Sequence, residues 1–78
     1  MTAFHLLPSL RARKIIRALE KAGFVQDRQK GSHVVMRHPT KKCQTVVPIH
    51  SGEEIHKSLL MDIIKQAELS IQEFLNLL

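Results

Sequence analysis

Residues 24–39 read FVQDRQKGSHVVMRHP, and this stretch predicts two antiparallel strands joined by a tight turn. The first strand covers residues 24–29, where the apolar spacing changes from the helical pattern before it. Lys30-Gly31 supplies the turn, because glycine adopts the backbone conformations that a short hairpin loop requires. The second strand runs over residues 32–38 and ends at the proline that follows, which has no N–H to donate.

A third strand and a helix flank this hairpin. Residues 43–49 form the third strand, which is rich in β-branched side chains. Before the hairpin, apolar residues recur at helical spacing between Ser9, a suitable N-cap, and Gly23, a suitable residue to stop a helix. The apolar stripe of this first helix consists of Ala12, Ile15, Ile16, Leu19 and Ala22.

Two further helices are predicted near the end of the chain. A polar loop covers residues 51–54, and Ser58 is a candidate N-cap for the second helix. Ser70 with Glu73 three positions later forms a capping box that opens a short last helix. The predicted inner faces consist of Leu60, Ile63, Ile64 and Ala67 in the second helix, and of Ile71, Phe74, Leu75 and Leu78 in the last.

The order helix, three strands, helix, short helix predicts an α+β fold with a three-stranded antiparallel sheet and helices on one face. Seventy-eight residues are enough for one domain of this kind, so residues 1–78 are expected to form a single domain. The other face of the sheet is left to solvent, where it is available for binding.

The charge favours an anionic partner. Twelve Lys and Arg against seven Asp and Glu give a formal net charge of +5, which suits nucleic acid or an acidic membrane surface. Solubility alone is the competing explanation. The single cysteine, Cys43, excludes an internal disulfide and is typical of a reducing compartment. Because the sequence has neither a signal-peptide pattern nor a run of about 20 apolar residues, we expect a cytoplasmic protein without a membrane span.

The second strand carries the candidate chemistry. Strand alternation places His33, Val35 and Arg37 on one face, and Val34, Met36 and His38 on the other. Because Val34 and Met36 suit the side that packs on the helices, His33 and Arg37 are expected to face outward. An exposed imidazole can deprotonate a ribose 2′-hydroxyl, and neighbouring cations stabilise charge on the transition state. A structural role for the histidine is the alternative.

Two other features of the sequence could also form a site. Five histidines could suggest a metal site, but the sequence has no spacing typical of metal ligands, so neither a metal nor a cofactor is expected. Arg13, Arg17 and Lys21 recur every four residues along the first helix. A solvated face and a phosphate-contacting stripe both explain this row of charges.

In their order and spacing, several segments resemble the HicA family of toxin ribonucleases, the toxin half of bacterial toxin–antitoxin pairs. The resemblance extends over nearly the whole chain and implies an α-β-β-β-α fold like that of a double-stranded-RNA-binding domain. The segments are 12–24 (ARKIIRALEKAGF), 28–33 (RQKGSH), 37–39 (RHP), 46–50 (VVPIH) and 63–70 (IIKQAELS).

The family's Gly-Ser-His motif, which carries its catalytic histidine, falls on Gly31, Ser32 and His33. The resemblance therefore implies metal-independent cleavage of mRNA by an endoribonuclease, and neutralisation by a HicB-type antitoxin that covers the active site. Two positions depart from the family pattern. Val34 stands where an aromatic residue or a second histidine is common, and Ser58 stands where a glycine commonly enters the second helix.

The expected RNA-binding residues supply backbone freedom or positive charge around His33. They are Gly31, Ser32, Lys30, Arg28, Arg37 and Lys41. The alternative function is a non-catalytic RNA-binding module of the same fold. It is weakened because residues 58–62 lack the lysines with which double-stranded-RNA binders hold phosphates at the start of the final helix.

Overall fold

The structure, a computed structural model, describes residues 4–50 and 52–78. It is an α+β fold with two small antiparallel sheets and three helices. After a 3₁₀ turn (Phe4–Leu6), the elements are β1 (Leu10–Arg11), α1 (Ala12–Lys21), β2 (Val25–Lys30), β3 (His33–Arg37), β4 (Gln44–Pro48), β5 (Glu54–Ile55), α2 (Lys57–Gln66) and α3 (Ile71–Asn76). No helix in these ranges is long and apolar enough to cross a bilayer.

The main sheet confirms the predicted antiparallel meander. Its strand order is β2-β3-β4, so β3 is central and β2 and β4 are edge strands. Lys30 pairs with His33, which makes Gly31-Ser32 the loop, one residue later than predicted. A register shift between Gln26 and Arg28 marks a bulge in β2.

The core lies on one face of this sheet, against the helices, as predicted. Val34 and Met36 of β3 and Val47 of β4 are buried there, beside Thr45, whose hydroxyl donates to the Gln66 side-chain oxygen at 2.7 Å. The helices contribute Ile15, Leu19, Leu60, Ile63, Ile64 and Phe74, each at most 1% exposed. By contrast, every residue of β2 is exposed, so the helices leave this edge strand uncovered on both faces.

The N-terminus of α1 differs from the prediction. The helix begins at Ala12, and its N-cap is Arg11, which makes no side-chain capping hydrogen bond. Ser9 is therefore not the cap, because the two residues after it form β1 and pair with β5. The same pairing turns Glu54, predicted as part of a polar loop, into a strand residue; Ser51 of that loop lies outside the described residues.

The prediction for the start of α2 is also wrong, whereas the capping box of α3 is confirmed. The N-cap is His56, whose Nδ1 accepts a hydrogen bond from the Ser58 N–H at 3.1 Å, so Ser58 lies inside the first turn. In α3, the Ser70 hydroxyl accepts from the Glu73 N–H, and the Glu73 carboxylate accepts from the Ser70 N–H. Leu78, predicted to face inward, is exposed because α3 ends at Asn76.

Gly23 ends α1 as predicted. It has φ +101°, and the N–H groups of Gly23 and Phe24 donate to the carbonyls of Glu20 and Leu19, as in a Schellman motif. A Cβ at this position would lie 2.8 Å from Nε2 of His38, so both the backbone conformation and the space require glycine.

Candidate functional site

The β2–β3 loop presents His33 at the surface. Gly31 has φ +56° at the first position of the loop, where a type II′ turn requires glycine. The carbonyl of Ser32 accepts a hydrogen bond from the Ile49 N–H, which fixes this residue against the segment after β4. His33 is the first residue of β3 and is exposed. Among the described residues, its side chain has no hydrogen-bond or ionic partner, so both ring nitrogens are open to a ligand.

Three cross-strand rows define the face of the sheet that carries His33, which we call the outer face. Residues directly opposite each other in antiparallel strands share a face. The row nearest the loop contains Lys30, His33 and Pro48; the next contains Arg28, Val35 and Val46; the last contains Val25, Arg37 and Gln44. The outward orientation of His33 and Arg37 predicted from alternation is therefore confirmed.

The outer face has an apolar centre inside a basic rim. Val35 points outward and is only 7% exposed, because Arg28 and Val46 flank it on the neighbouring strands. Lys30 and Arg28 lie in the row of His33 and in the adjacent row, so the structure brings these two cations to the imidazole.

Arg37 and Lys41 lie farther from the imidazole. Arg37 is at the opposite end of β3, about 13 Å along the strand, and its Nε lies 3.5 Å from a carboxylate oxygen of Asp27 at the β2 bulge. Lys41 follows in the next turn and lies close enough to Glu73 to help lower the pKa of that carboxyl. The ion pair with Asp27 had no signal in the sequence beyond the presence of an acidic residue in β2.

Two of the other histidines have structural roles. His38 is partly buried: its Nδ1 accepts from the N–H groups of Thr40 and Lys41, which leaves Nε2 to donate to the Ala22 carbonyl at 3.2 Å. Its ring also meets Phe24 edge-on, with centroids 5.1 Å apart. His56 caps α2. His33 differs from both because no side chain or backbone group in residues 4–50 and 52–78 bonds to its imidazole.

The two departures from the family pattern, Val34 and Ser58, do not lie on the outer face. Val34 is 1% exposed and points into the core, so it makes no contact on the side of His33. Ser58 lies within α2 on the helical side of the sheet. Within residues 4–50 and 52–78, no group of three or more His, Cys, Asp or Glu side chains is arranged to hold a metal ion.

Chemically, the outer face combines a free imidazole, two adjacent cations and a flat surface with an apolar centre. The imidazole can transfer a proton near neutral pH, and the cations can bind phosphates.

A search of curated proteins finds no match to this chain. The family model for the HicA toxin of bacterial toxin–antitoxin systems matches residues 12–69, which include the Gly31-Ser32-His33 segment and the whole main sheet. The chain therefore belongs to the HicA toxin family.

Proposed function

We propose that this toxin is a metal-independent endoribonuclease that cleaves mRNA, with His33 as the catalytic residue. The observation that carries the proposal is the exposed, unpartnered imidazole of His33 beside Lys30 on a sheet face that the helices leave open. Membership of the HicA family supports the same activity.

The reaction begins when a ring nitrogen of His33 takes the proton of a ribose 2′-hydroxyl. The 2′ oxygen then bonds to the adjacent phosphorus, and the bond from phosphorus to the 5′ oxygen of the next nucleotide breaks. That oxygen takes up a proton from water, leaving a 2′,3′-cyclic phosphate and a 5′-hydroxyl. Proton transfer by a positioned side chain typically accelerates a reaction about 10²–10⁴-fold.

Lys30 and Arg28 provide the electrostatic part of the mechanism. Both lie on the face of His33, and a cation beside the phosphate stabilises the negative charge that builds up as the 2′ oxygen attacks. Gly31 and Ser32 form the tight loop that brings the RNA backbone close to the imidazole. Arg37 and Lys41, at the far end of β3, contact phosphates more distant from the cleaved bond.

The partner is a HicB-type antitoxin that covers the outer face. The apolar centre at Val35 and Val46 inside a basic rim matches the usual composition of an interface, in which an apolar core is surrounded by polar residues. An acidic surface on the antitoxin would bind the rim and exclude RNA from His33.

A non-catalytic RNA-binding module of the same fold is the alternative. At the start of α2, where double-stranded-RNA binders use lysines, the ammonium of Lys57 lies 5.4 Å from the centroid of the Phe4 ring. This cation–π contact holds the lysine against the protein instead of leaving it free for phosphate.

The proposed mechanism is tested on the substrate side. An mRNA transcript and a fully 2′-O-methylated RNA of a cleaved sequence are incubated with the protein in excess chelator. The transcript should be cut to fragments that end in 2′,3′-cyclic phosphates by mass spectrometry, and the methylated RNA should stay intact. Fragments with 3′-hydroxyl and 5′-phosphate ends, or cleavage of the methylated RNA, would contradict the mechanism. Binding of both RNAs without cleavage would favour the RNA-binding module.

A further inference from the structure

A cleft of about 390 Å³ opens on the side of the sheet away from His33, between α1 and β2. It exists because the helices pack over β3 and β4 and leave the inner side of β2 uncovered. Its apolar surface includes Ile16 and Val34, both buried residues of the core. Apart from Ile49, its remaining lining is polar, and the outer-face chemistry uses none of it.

Two arginines border the cleft on the helix side. Arg13 and Arg17 are one helical turn apart and exposed, and neither has an ionic partner among the described residues. Lys21, the next residue of this row, donates instead to the Leu77 carbonyl at 3.1 Å. The row of charges therefore divides into one structural lysine and two free arginines, which are suited to bind a phosphate.

The cleft also carries groups that can recognise a base, two on β2 and one on α1. Gln26 and Gln29 project from β2 toward the cleft, and Glu20 lies on α1 one turn beyond Arg17. The Gln29 side-chain nitrogen donates to the Gly31 carbonyl at 3.1 Å, which orients its amide. Glutamine amides bind the edge of adenine with two hydrogen bonds, and a carboxylate accepts from an exocyclic amino group.

The cleft is continuous with the outer face around the edge of the sheet. β2 is an edge strand, and its cations Arg28 and Lys30 face outward while Gln29, between them, faces the cleft. An RNA chain held on the outer face needs to cross only this exposed strand to place a neighbouring nucleotide between α1 and β2.

We propose that this cleft is a nucleotide subsite of the toxin, in which Arg13 and Arg17 bind a phosphate while Gln26, Gln29 and Glu20 select a base with an exocyclic amino group. The proposal rests on RNA being the substrate. Adenine fits this lining, because a glutamine amide can bind its edge with two hydrogen bonds, whereas uracil has no exocyclic amine to donate to Glu20. A peptide of acidic residues fits less well, because Glu20 would repel it and the glutamine amides add no positive charge.

The test uses His33→Ala protein, so that bound RNA is not cut, and fluorescent oligoadenylate and oligouridylate of equal length. The parent should bind oligoadenylate more tightly. Adding Gln26→Ala should weaken oligoadenylate binding about fivefold or more and leave oligouridylate binding unchanged. Adding Arg17→Ala should weaken both and lower the salt slope by about 0.7, the value for one phosphate on a single strand. Gln72→Ala, an exposed glutamine on α3, should change neither.

If the Gln26→Ala protein bound each RNA as tightly as the parent does, the proposal would be overturned. The same variants are also titrated with a HicB-type antitoxin, and loss of antitoxin binding with RNA binding unchanged would overturn the proposal by making the cleft a protein-docking surface. The outcome is separate from that of the cleavage test: base selection that depends on Gln26 would establish the subsite even if the protein did not cut RNA.

Discussion

His33 is the first residue of β3 and His38 follows its last residue, but the contacts of the two imidazoles differ. His33 has no partner among the described residues, whereas both nitrogens of His38 are used by the backbone of other segments. The contrast follows from strand parity and from the turn after β3, which folds the Thr40 and Lys41 N–H groups back onto the imidazole. His33 is therefore available to a ligand, whereas His38 stabilises the fold.

Replacing His38 with alanine should lower the free energy of unfolding by about 2–3 kcal/mol. The change removes its hydrogen bonds to the exposed N–H groups of the turn and its edge-on contact with Phe24, and it leaves the partly buried Ala22 carbonyl at the end of α1 unpaired. Denaturant unfolding measures the effect, with the exposed His5→Ala as the matched control. A loss within 0.5 kcal/mol, the range of ordinary surface substitutions, would show that the His38 contacts contribute little.

For single residues, the sequence predicted which face of the sheet a side chain lies on better than it predicted which residues the side chain contacts. Alternation alone placed His33 and Arg37 outward and Val34 and Met36 inward. It could not show that Arg37 pairs with Asp27, because that contact depends on the bulge in β2. The catalytic role of His33 stays a prediction.

Among the elements, the last helix carries a charge-dependent cap. The backbone N–H and the hydroxyl of Ser70 both bind Glu73 and hold the pKa of its carboxyl below the ordinary value, with a smaller contribution from Lys41. Because the folded-state pKa is lower than that of the unfolded chain, the charged carboxylate stabilises the fold above the unfolded-state pKa. That contribution is lost as the pH falls through the folded-state pKa.

Glu73→Gln keeps a capping side chain and removes its charge. At neutral pH the variant should be less stable than the wild type, and the difference should shrink as the pH falls from the unfolded-state pKa of Glu73 through its lower folded-state pKa. Urea unfolding at a series of pH values measures it. A difference that is independent of pH would mean that ionisation of Glu73 does not contribute to the cap.

The longer elements were predictable and the shortest were not. Three strands and three helices follow from period-two and helical spacing, and Gly23 and Ser70 mark a helix end and a helix start correctly, whereas Ser9 and Ser58 do not. The two-residue strands β1 and β5 have no periodicity to detect, and their pairing joins segments far apart in the chain. The imidazole cap of His56 was missed because serine is the more common capping residue.

For the whole molecule, the small size and the positive charge favour binding of a partner. A chain of 78 residues buries only about 60–65% of its unfolded surface, and a net charge of +5 adds repulsion between like charges. A ligand that binds only the folded state stabilises it by mass action. An antitoxin on the outer face would supply both apolar cover and negative charge.

Reversing a charge on the outer face should therefore weaken the antitoxin complex. Arg28→Glu should reduce affinity for a HicB-type antitoxin at least tenfold, while Lys65→Glu, an exposed residue on α2, should leave it nearly unchanged. Calorimetric titration measures both, and the antitoxin should raise the Tm of the wild-type toxin. Equal affinities of the two variants would place the antitoxin elsewhere on the molecule.

The cation cluster was predictable at this scale only in part. Composition gave the sign of the charge, and the predicted order of helices and strands gave the open sheet face. The separation of Lys41 from His33 and the cleft between α1 and β2 depend on how far the helices extend over the sheet, which spacing along the chain does not determine.

The measurement that tests the central claim most directly compares wild-type, His33→Ala and His5→Ala proteins on one mRNA transcript in excess chelator. Wild type and His5→Ala should cleave at equal rates, and His33→Ala should lose at least about 10²-fold in rate. RNA affinity and thermal unfolding of His33→Ala should match those of the wild type, because the imidazole is exposed and bonds to no group in the part of the chain that the structure describes. Cleavage by His33→Ala at the wild-type rate, or cleavage by any of the three only after metal is added, would contradict the claim.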